Sequence, residues 1–397
     1  MKKRTLAALE GQPLEGQRAF TRVDFNVPVQ NGRVTDGTRI RASLPTIRWL
    51  SGRGSRVILL SHLGRPKGGP DPKFSLRPVA AELERQLGTL VTFLEDPIAD
   101  QAERVTRQMK RGEVALAENT RFYPGEEKND PGLARSFARL GDFYVNDAFG
   151  SAHRGHASTE GVAHLLKPAV AGFLMAKELE YLGRALTTPE RPFVAVLGGA
   201  KVSDKIEVIN ALLPKVDALL IGGAMACTFF LGLGLEVGHS LVEPDKADLA
   251  RALLERAGAK IVLPSGVVVA QELKSGAATR SVTREAIPKD WAVYDIDEAT
   301  CRDFIGRITA AGTVLWNGPL GVFETPPFDR GTLAIARGMA QATGRGATTI
   351  VGGGDSLAAV AAAGVEDQIS HVSTGGGATL EFLEGKVLPG VAALDDA

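Results

Sequence analysis

Short apolar runs recur along the chain, each followed by a polar or glycine-rich loop and then by apolar residues at helical spacing. Arg18–Val29 has the alternation of a strand, with Phe20, Arg22, Asp24 and Asn26 on one side and Val23, Phe25 and Val27 on the other. A central strand and a solvated edge strand stopped by Pro28 both fit that pattern. Ile40, Leu44, Ile47 and Leu50 predict a helix over 39–50, and Val57–Leu60 reads as a strand buried on both faces. Val114–Ala117 and Phe143–Val145 repeat the plan. In the second half Phe193–Leu197, Ala218–Ile221, Thr313–Trp316 and Thr348–Val351 each run into glycines, as does the stretch from Ile369. Leu179, Leu182 and Leu186 predict a helix over 176–186, and Thr187–Pro192 reads as a linker, so a domain change is expected around 168–190. Strands alternating with helices imply βαβ units, right-handed crossovers and parallel sheets, hence an α/β protein.

A length of 397 residues suits two domains, and 44% apolar with 23% charged residues describes a globular chain. No apolar run approaches a membrane span, and Glu10 interrupts the N-terminal apolar stretch, so neither a membrane anchor nor a secretory signal is expected. Two cysteines, Cys227 and Cys301, are too few for a disulfide framework or a zinc site; buried thiols and a cytoplasmic location are expected. The net charge is zero but unevenly placed. Residues 1–167 carry 26 Lys and Arg against 19 Asp and Glu, a balance of +7, and the remainder carries −7. A basic half points to an anionic partner, or to attraction between the halves. Sparse aromatics, at 6%, and the absence of a long basic run argue against nucleic acid.

Candidate chemistry lies where the strands end. In parallel α/β sheets, ligands sit beyond the carboxyl ends of the strands. Four such ends in the first half deliver Asp24, Asn26, His62, Arg65, Arg121, His153 and Arg154. Arginine forks suit phosphate or carboxylate, although any single one reads equally well as a surface ion pair. The histidines lack the carboxylates and spacing of a metal site. In the second half, Lys201 and Lys205 stand four apart after Gly198-Gly199, which would place both on one helix face as phosphate binders or as solvated lysines. Asp355 follows three glycines at a helix start and reads as an N-cap or a magnesium ligand. Ser373-Thr374-Gly375-Gly376-Gly377 leads from a strand into a helix. Three glycines let a ligand approach the backbone, and helix N–H groups there would cradle an anion. Neither a P-loop nor a dinucleotide fingerprint of correct spacing occurs.

Taken together, these blocks resemble phosphoglycerate kinase. They are Arg22-Val-Asp-Phe-Asn-Val-Pro28, Ser61-His-Leu-Gly-Arg-Pro66, Glu118-Asn-Thr-Arg-Phe122, Asn146-Asp-Ala-Phe-Gly150, Ala152-His-Arg154, Gly198-Gly-Ala-Lys-Val-Ser-Asp-Lys205, Trp316-Asn-Gly-Pro-Leu-Gly-Val-Phe-Glu324, Gly352-Gly-Gly-Asp-Ser356 and Ser373-Thr-Gly-Gly-Gly377. The resemblance implies two Rossmann-like, doubly wound parallel-sheet domains. A phosphoglycerate-binding domain would span 1–170 and a nucleotide-binding domain 191–380. A hinge helix and linker would span 171–190, and a tail, 381–397, would return to the first domain. It implies a cytoplasmic monomer exchanging a phosphoryl group between ATP and the carboxylate of 3-phosphoglycerate, with Mg²⁺ on the nucleotide.

Carried over onto this sequence, Asp24 and Asn26 would hold the glycerate end, and His62, Arg65, Arg121 and Arg154 the 3-phosphate. Arg39 would meet the reacting carboxyl. Lys201, Lys205 and the N–H groups of Gly375, Gly376 and Gly377 would meet the group in transfer. Gly222 and Gly223 would line the adenine pocket, Glu324 would meet the ribose and Asp355 the magnesium. Asn317, Gly353, Gly354 and Ser356 would contact the nucleotide. Ser265, Gly266 and Gln271 depart from the expected pattern and put local packing in question. The implied nucleophile is a carboxylate of pKa about 4, which needs no general base at neutral pH. Catalysis is then positioning and charge neutralisation, with closure excluding water. A dehydrogenase would need the missing glycine fingerprint. A non-catalytic anion-binding protein would leave Lys201, Lys205 and Asp355 without a task.

Overall fold

The computed structural model describes residues 2–397. The chain packs as two compact units, one running to Glu180 and taking in Val387–Ala397, the other Tyr181–Lys386. The first unit is built on strands β1 (Arg18–Arg22), β2 (Arg56–Leu60), β3 (Val91–Leu94), β4 (Val114–Ala117), β5 (Phe143–Asn146) and β6 (Ala169–Ala171). They form one sheet in the order β3-β4-β2-β1-β5-β6, every pair parallel. β1 is therefore central, not a solvated edge strand, and all five of its residues are buried. Its neighbours on either side satisfy its backbone, and helices cover both faces, which is why the flanking strands read as unbroken apolar runs.

Helix α1 (Thr38–Gly52) buries Ile40, Leu44, Ile47 and Leu50 in the core beneath β1, along with Val23, Phe25 and Val27. Apolar spacing of three and four residues thus sets its inward face. Helix α2 (Phe173–Thr187) contains the boundary between the units. Its first turn is anchored in the first unit. Asp147 Oδ1 accepts hydrogen bonds from the N–H groups of Leu174, at 2.8 Å, and Met175, at 3.2 Å. The Thr46 hydroxyl accepts from Phe173 N–H at 2.9 Å. These side chains satisfy donors that a helix cannot satisfy itself. Burial pushes the Asp147 carboxyl up to about 6, against the pull of those donors.

The returning segment is tied to the first unit. Asn146 Nδ2 donates to Gly390 O at 3.0 Å, and Gly390 N–H donates to Ala152 O at 2.8 Å. Asp395 accepts from Ala169 N–H and pairs with Lys167, while Lys3 Nζ donates to the carbonyls of Ala392 and Leu394. Leu388 and Leu394 are buried there.

The second unit carries β7 (Phe193–Leu197), β8 (Ala218–Ile221), β9 (Ile261–Val262), β10 (Gly266–Ala270), β11 (Arg280–Thr283), β12 (Ala292–Ile296), β13 (Thr313–Asn317), β14 (Thr348–Gly352) and β15 (His371–Ser373). Six of these form a parallel sheet in the order β9-β8-β7-β13-β14-β15. β10, β11 and β12 make a small antiparallel sheet, order β11-β10-β12, which the alternating pattern does not predict. Gly266 opens β10 hard against the Asp297 carboxylate, which a Cβ would meet at 2.3 Å. Its departure from the expected sequence is therefore local packing. Cys227 and Cys301 are both buried free thiols, and burial pushes both up to about 12. Among the described residues no helix is long and apolar enough to cross a membrane.

Ending the chain at Lys386 exposes the sites of Leu388 and Leu394, and should lower the stability of the first unit by about 3–6 kcal/mol at about 1.5–3 per leucine. Chemical denaturation followed by the near-ultraviolet signal measures it, and an unchanged midpoint refutes the docking. Asp147 has its folded pKa raised above the unfolded value near 4. The stability it adds is complete below about 4 and is lost as pH rises through about 6. Asp147→Asn should therefore flatten the fall in unfolding midpoint between those pH values; parallel curves for the two proteins would contradict it.

Candidate active site

The first unit collects its polar side chains beyond the carboxyl ends of four adjacent strands. After β1, Asp24 turns back to accept from Asn26 N–H at 3.2 Å and pairs with Arg39 Nη1 at 3.1 Å. Arg39 comes from the first turn of α1, so this ion pair ties helix to strand end. Asn26 Oδ1 accepts from Gly64 N–H at 2.9 Å, joining the loops after β1 and β2. Arg121, in the short turn after β4, donates from Nη1 to Gly64 O at 2.6 Å and pairs through Nε with Glu127 at 3.2 Å. Its burial, ahead of its neighbouring charges, pulls its pKa down. Arg154, in the loop after β5, donates from Nε to His153 Nε2 at 3.1 Å. Arg65 is exposed in the loop after β2.

His62 is buried, with Nδ1 at 3.1 Å from Arg22 Nη2. Burial, and then Arg22, Arg121, Arg154 and His156, hold its pKa well below the usual histidine range. His156 is pushed down to about 3 by burial first, then by Arg22, Arg121, Arg154 and His153. The ring of His62 is neutral there at physiological pH. The site therefore includes Arg22, His156, Ser158 and the fully buried Glu126, none of which the strand-end reading singles out. For Arg22 a signal is present, since its alternation puts it on the side of Asp24 and Asn26. For Glu126, nine residues past its strand within a turn-rich stretch, there is none.

In the second unit the strand ends carry glycine instead of arginine. A cavity of about 410 Å³ is lined by Gly199, Lys201, Lys205, Asn317, Gly353, Gly354, Asp355, Ser356, Gly376 and Gly377 among others. Lys201 and Lys205 both reach it, but they do not share a helix face. The helix after β7, α3 (Ile206–Leu212), begins only beyond Lys205, and Lys201 lies in the preceding loop. Gly199, at φ +117°, and the inward packing of Val202 bend that loop before a helix can start. Lys205 Nζ donates to Asn317 Oδ1, and Asn317 Nδ2 donates to Gly352 O at 2.8 Å. Burial lowers the Lys205 pKa, while Asp204, Glu384 and Asp355 oppose it.

Helix α4 (Gly354–Ala362) has Gly353, at φ +98°, in the capping position. Asp355 is thus an exposed residue of the first helical turn rather than the N-cap, favourably placed against the helix dipole. Ser356 is buried and accepts from Gly318 N–H at 2.7 Å, locking two loops together. Gly376, at φ +54°, caps helix α5 (Gly377–Leu383). Gly375 is not among the lining residues; its N–H donates to Ser373 Oγ at 3.3 Å.

A second, mostly apolar cavity of about 230 Å³ adjoins the first through Gly199, Ala200, Pro319 and Asp355. Gly223, Leu241, Val267, Tyr294, Leu320 and Glu324 line it. Gly222 does not; it packs against Leu320, whose Cδ2 a Cβ would meet at 2.4 Å. An apolar slot beside a glycine-and-lysine shelf is suited to a flat base with a phosphate tail. Among the described residues no group of three or more His, Cys, Asp or Glu is placed to hold a metal on its own.

A family model described as Phosphoglycerate kinase matches residues 9–386. The phosphoglycerate kinase of Chloroflexus aurantiacus is 58% identical over 388 residues, covering 96% of this chain and 97% of that one. That of Moorella thermoacetica is 56% identical over 100% of both. Among solved structures, phosphoglycerate kinase from Coxiella burnetii superposes with a TM-score of 0.89 at 42% identity, covering 97% of this chain and 98% of the other. The Pyrococcus horikoshii enzyme does so at 0.84 and 31%, with the same coverage. With full-length identity above half and both sheets matched, this chain belongs to the phosphoglycerate kinase family.

Proposed function

We propose that the two units divide one reaction, the first holding the acid substrate by side-chain charge and the second holding the nucleotide by backbone and lysine. The reaction is the reversible exchange of 1,3-bisphosphoglycerate and ADP for 3-phosphoglycerate and ATP. The observation that carries the division is the contrast between the strand ends: His62, Arg65, Arg121 and Arg154 on one sheet, glycine turns with Lys201 and Lys205 on the other. Fixed guanidinium forks hold a phosphate ester bidentately. Asp24 and Asn26 take the glycerate hydroxyl and carboxylate end. Arg39, held by Asp24, would meet the reacting carboxyl.

In the second unit the apolar slot takes the base, with Gly223 along its wall, and Glu324 meets the ribose. Lys201, Lys205, Gly353, Gly354, Gly376 and Gly377 surround the phosphates. Asn317 and Ser356 act by fixing Lys205 and the Gly318 turn. Asp355, an exposed carboxylate of the first helical turn on the cavity rim, would hold the Mg²⁺ of the nucleotide. That matches an ion which keeps waters and phosphate oxygens around one or two carboxylates. Bound Mg²⁺ supplies neutralisation of phosphate charge.

The acceptor is an ionised carboxylate, so no proton need be removed, and rate comes from positioning and charge. Transfer requires the acyl oxygen and terminal phosphorus to come into line, so both ligands must promote closure of the units. Small molecules are the partners on this reading, nucleic acid is not, and the enzyme acts as a monomer. Buried free thiols suit a reducing cytoplasm.

Arg39→Ala should cut kcat by about 10² or more while 3-phosphoglycerate still binds, as loss of one preorganised donor does. A coupled ATP assay with calorimetry checks this, and near-normal turnover defeats it. Gly376→Val forces a β-branched residue to φ +54° beside the phosphates. Transfer should be lost with ADP binding retained; full activity in a folded variant would rule out the glycine turn as part of the site.

A further inference from the structure

We propose that Arg22 is a positioning residue that fixes His62 in the Nε2–H tautomer, through a buried chain running from Glu126 to Ser158 to Arg22 to His62. Glu126 Oε1 accepts from the Ser158 hydroxyl and Oε2 accepts from Ser158 N–H at 3.0 Å. Ser158 Oγ in turn accepts from Arg22 Nε at 2.9 Å. Arg22 Nη1 donates to Val23 O, and Nη2 lies 3.1 Å from His62 Nδ1. Glu126, Ser158 and Arg22 are wholly buried and His62 nearly so.

The polarity of the last contact is fixed by chemistry. A guanidinium has five donors and no lone pair to offer, so His62 Nδ1 must accept. A neutral imidazole carries one proton, which is then on Nε2. The opposite tautomer would press an Nδ1–H against an Nη2–H and would leave Nε2 with a lone pair. A phosphate presents acceptors alone, so only the Nε2–H form can donate to it. Arg22 is sealed in the interior with Nε, Nη1 and Nη2 all engaged. It acts on a ligand through His62, and its own charge is balanced by Glu126 across the Ser158 hydroxyl. Arg121, Arg154 and His156 stand around the same ring, so a second proton on it is disfavoured from every side. His62 is thus a neutral donor of fixed direction among fixed cations.

This rests on the reading that His62 meets the substrate phosphate, and the test separates the two. Long-range ¹H–¹⁵N spectra of the full-length protein, with His62 assigned by the loss of its signals in His62→Gln, report the protonation of each ring nitrogen. At pH 7 the wild type should show bare Nδ1 and protonated Nε2, with Nε2 shifting on addition of 3-phosphoglycerate. Arg22→Met should mix the tautomers and raise KM for 3-phosphoglycerate roughly tenfold, with kcat changed less than about twofold, as loss of a charge-assisted hydrogen bond at a binding group does. A protonated Nδ1 in the wild type, or an unchanged tautomer in folded Arg22→Met, overturns the proposal. If Arg22→Met does not fold, the wild-type spectrum decides. A bare Nδ1 with His62 signals indifferent to 3-phosphoglycerate overturns the phosphate reading, and with it Arg22's part in binding.

Discussion

Positive charge gathered at the edge of a buried sheet is the condition on which the first unit depends. Like charges a few ångströms apart repel, and a guanidinium taken out of water costs several kcal/mol unless it is matched. The fold meets both demands with neighbouring acids, Glu126 and Asp24 buried and Glu127 at the surface. Glu126 answers Arg22 through a hydroxyl, Asp24 answers Arg39 and Glu127 answers Arg121. Carbonyl oxygens of Val23 and Gly64 take further donors. What remains unanswered is a modest excess of donors facing outward, which a multiply charged anion can complete.

The second unit solves a related problem mainly with backbone, aided by two lysines. Its loops turn at Gly199, Gly223, Gly353 and Gly376, all with positive φ, so that backbone amides and carbonyls form the walls. Gly223 and Gly353 leave no room for a Cβ, since one would meet Gly199 O at 2.5 Å and Asn317 Nδ2 at 2.9 Å. Close approach of two loops, rather than ligand contact alone, therefore dictates glycine at these points. Lys205 is half-buried at the cavity, and Asn317 fixes its direction.

Much of this was legible in the residues. Apolar runs such as Val57–Leu60 and Phe193–Leu197 fall in sheet centres because nothing but a strand covered on both faces tolerates them. Strand-end arginines and glycines gather because a parallel sheet puts all its carboxyl ends on one side. The failures have local causes. Lys201 and Lys205 obey helical spacing, yet a turn closed by Lys205 N–H on Val202 O intervenes and the helix starts only at Ile206. Asp355 sits where a capping residue is expected, yet a glycine two residues earlier, Gly353, adopts the cap. The antiparallel sheet around Val267 is invisible because one of its strands, Arg280–Thr283, is exposed and polar. Glu126 is hidden for a different reason: only tertiary packing turns an unremarkable surface-type residue into a buried counterion.

The docking of Val387–Ala397 on the first unit has a consequence for how the molecule comes into being. The second unit is one uninterrupted stretch, whereas the first is closed by a segment that follows it in the chain. During synthesis the second unit therefore has all its residues in hand before the first does. Asn146 and Lys3 must wait, on a nascent chain, for carbonyls that emerge more than 200 residues later. The lobe made first is the lobe finished last.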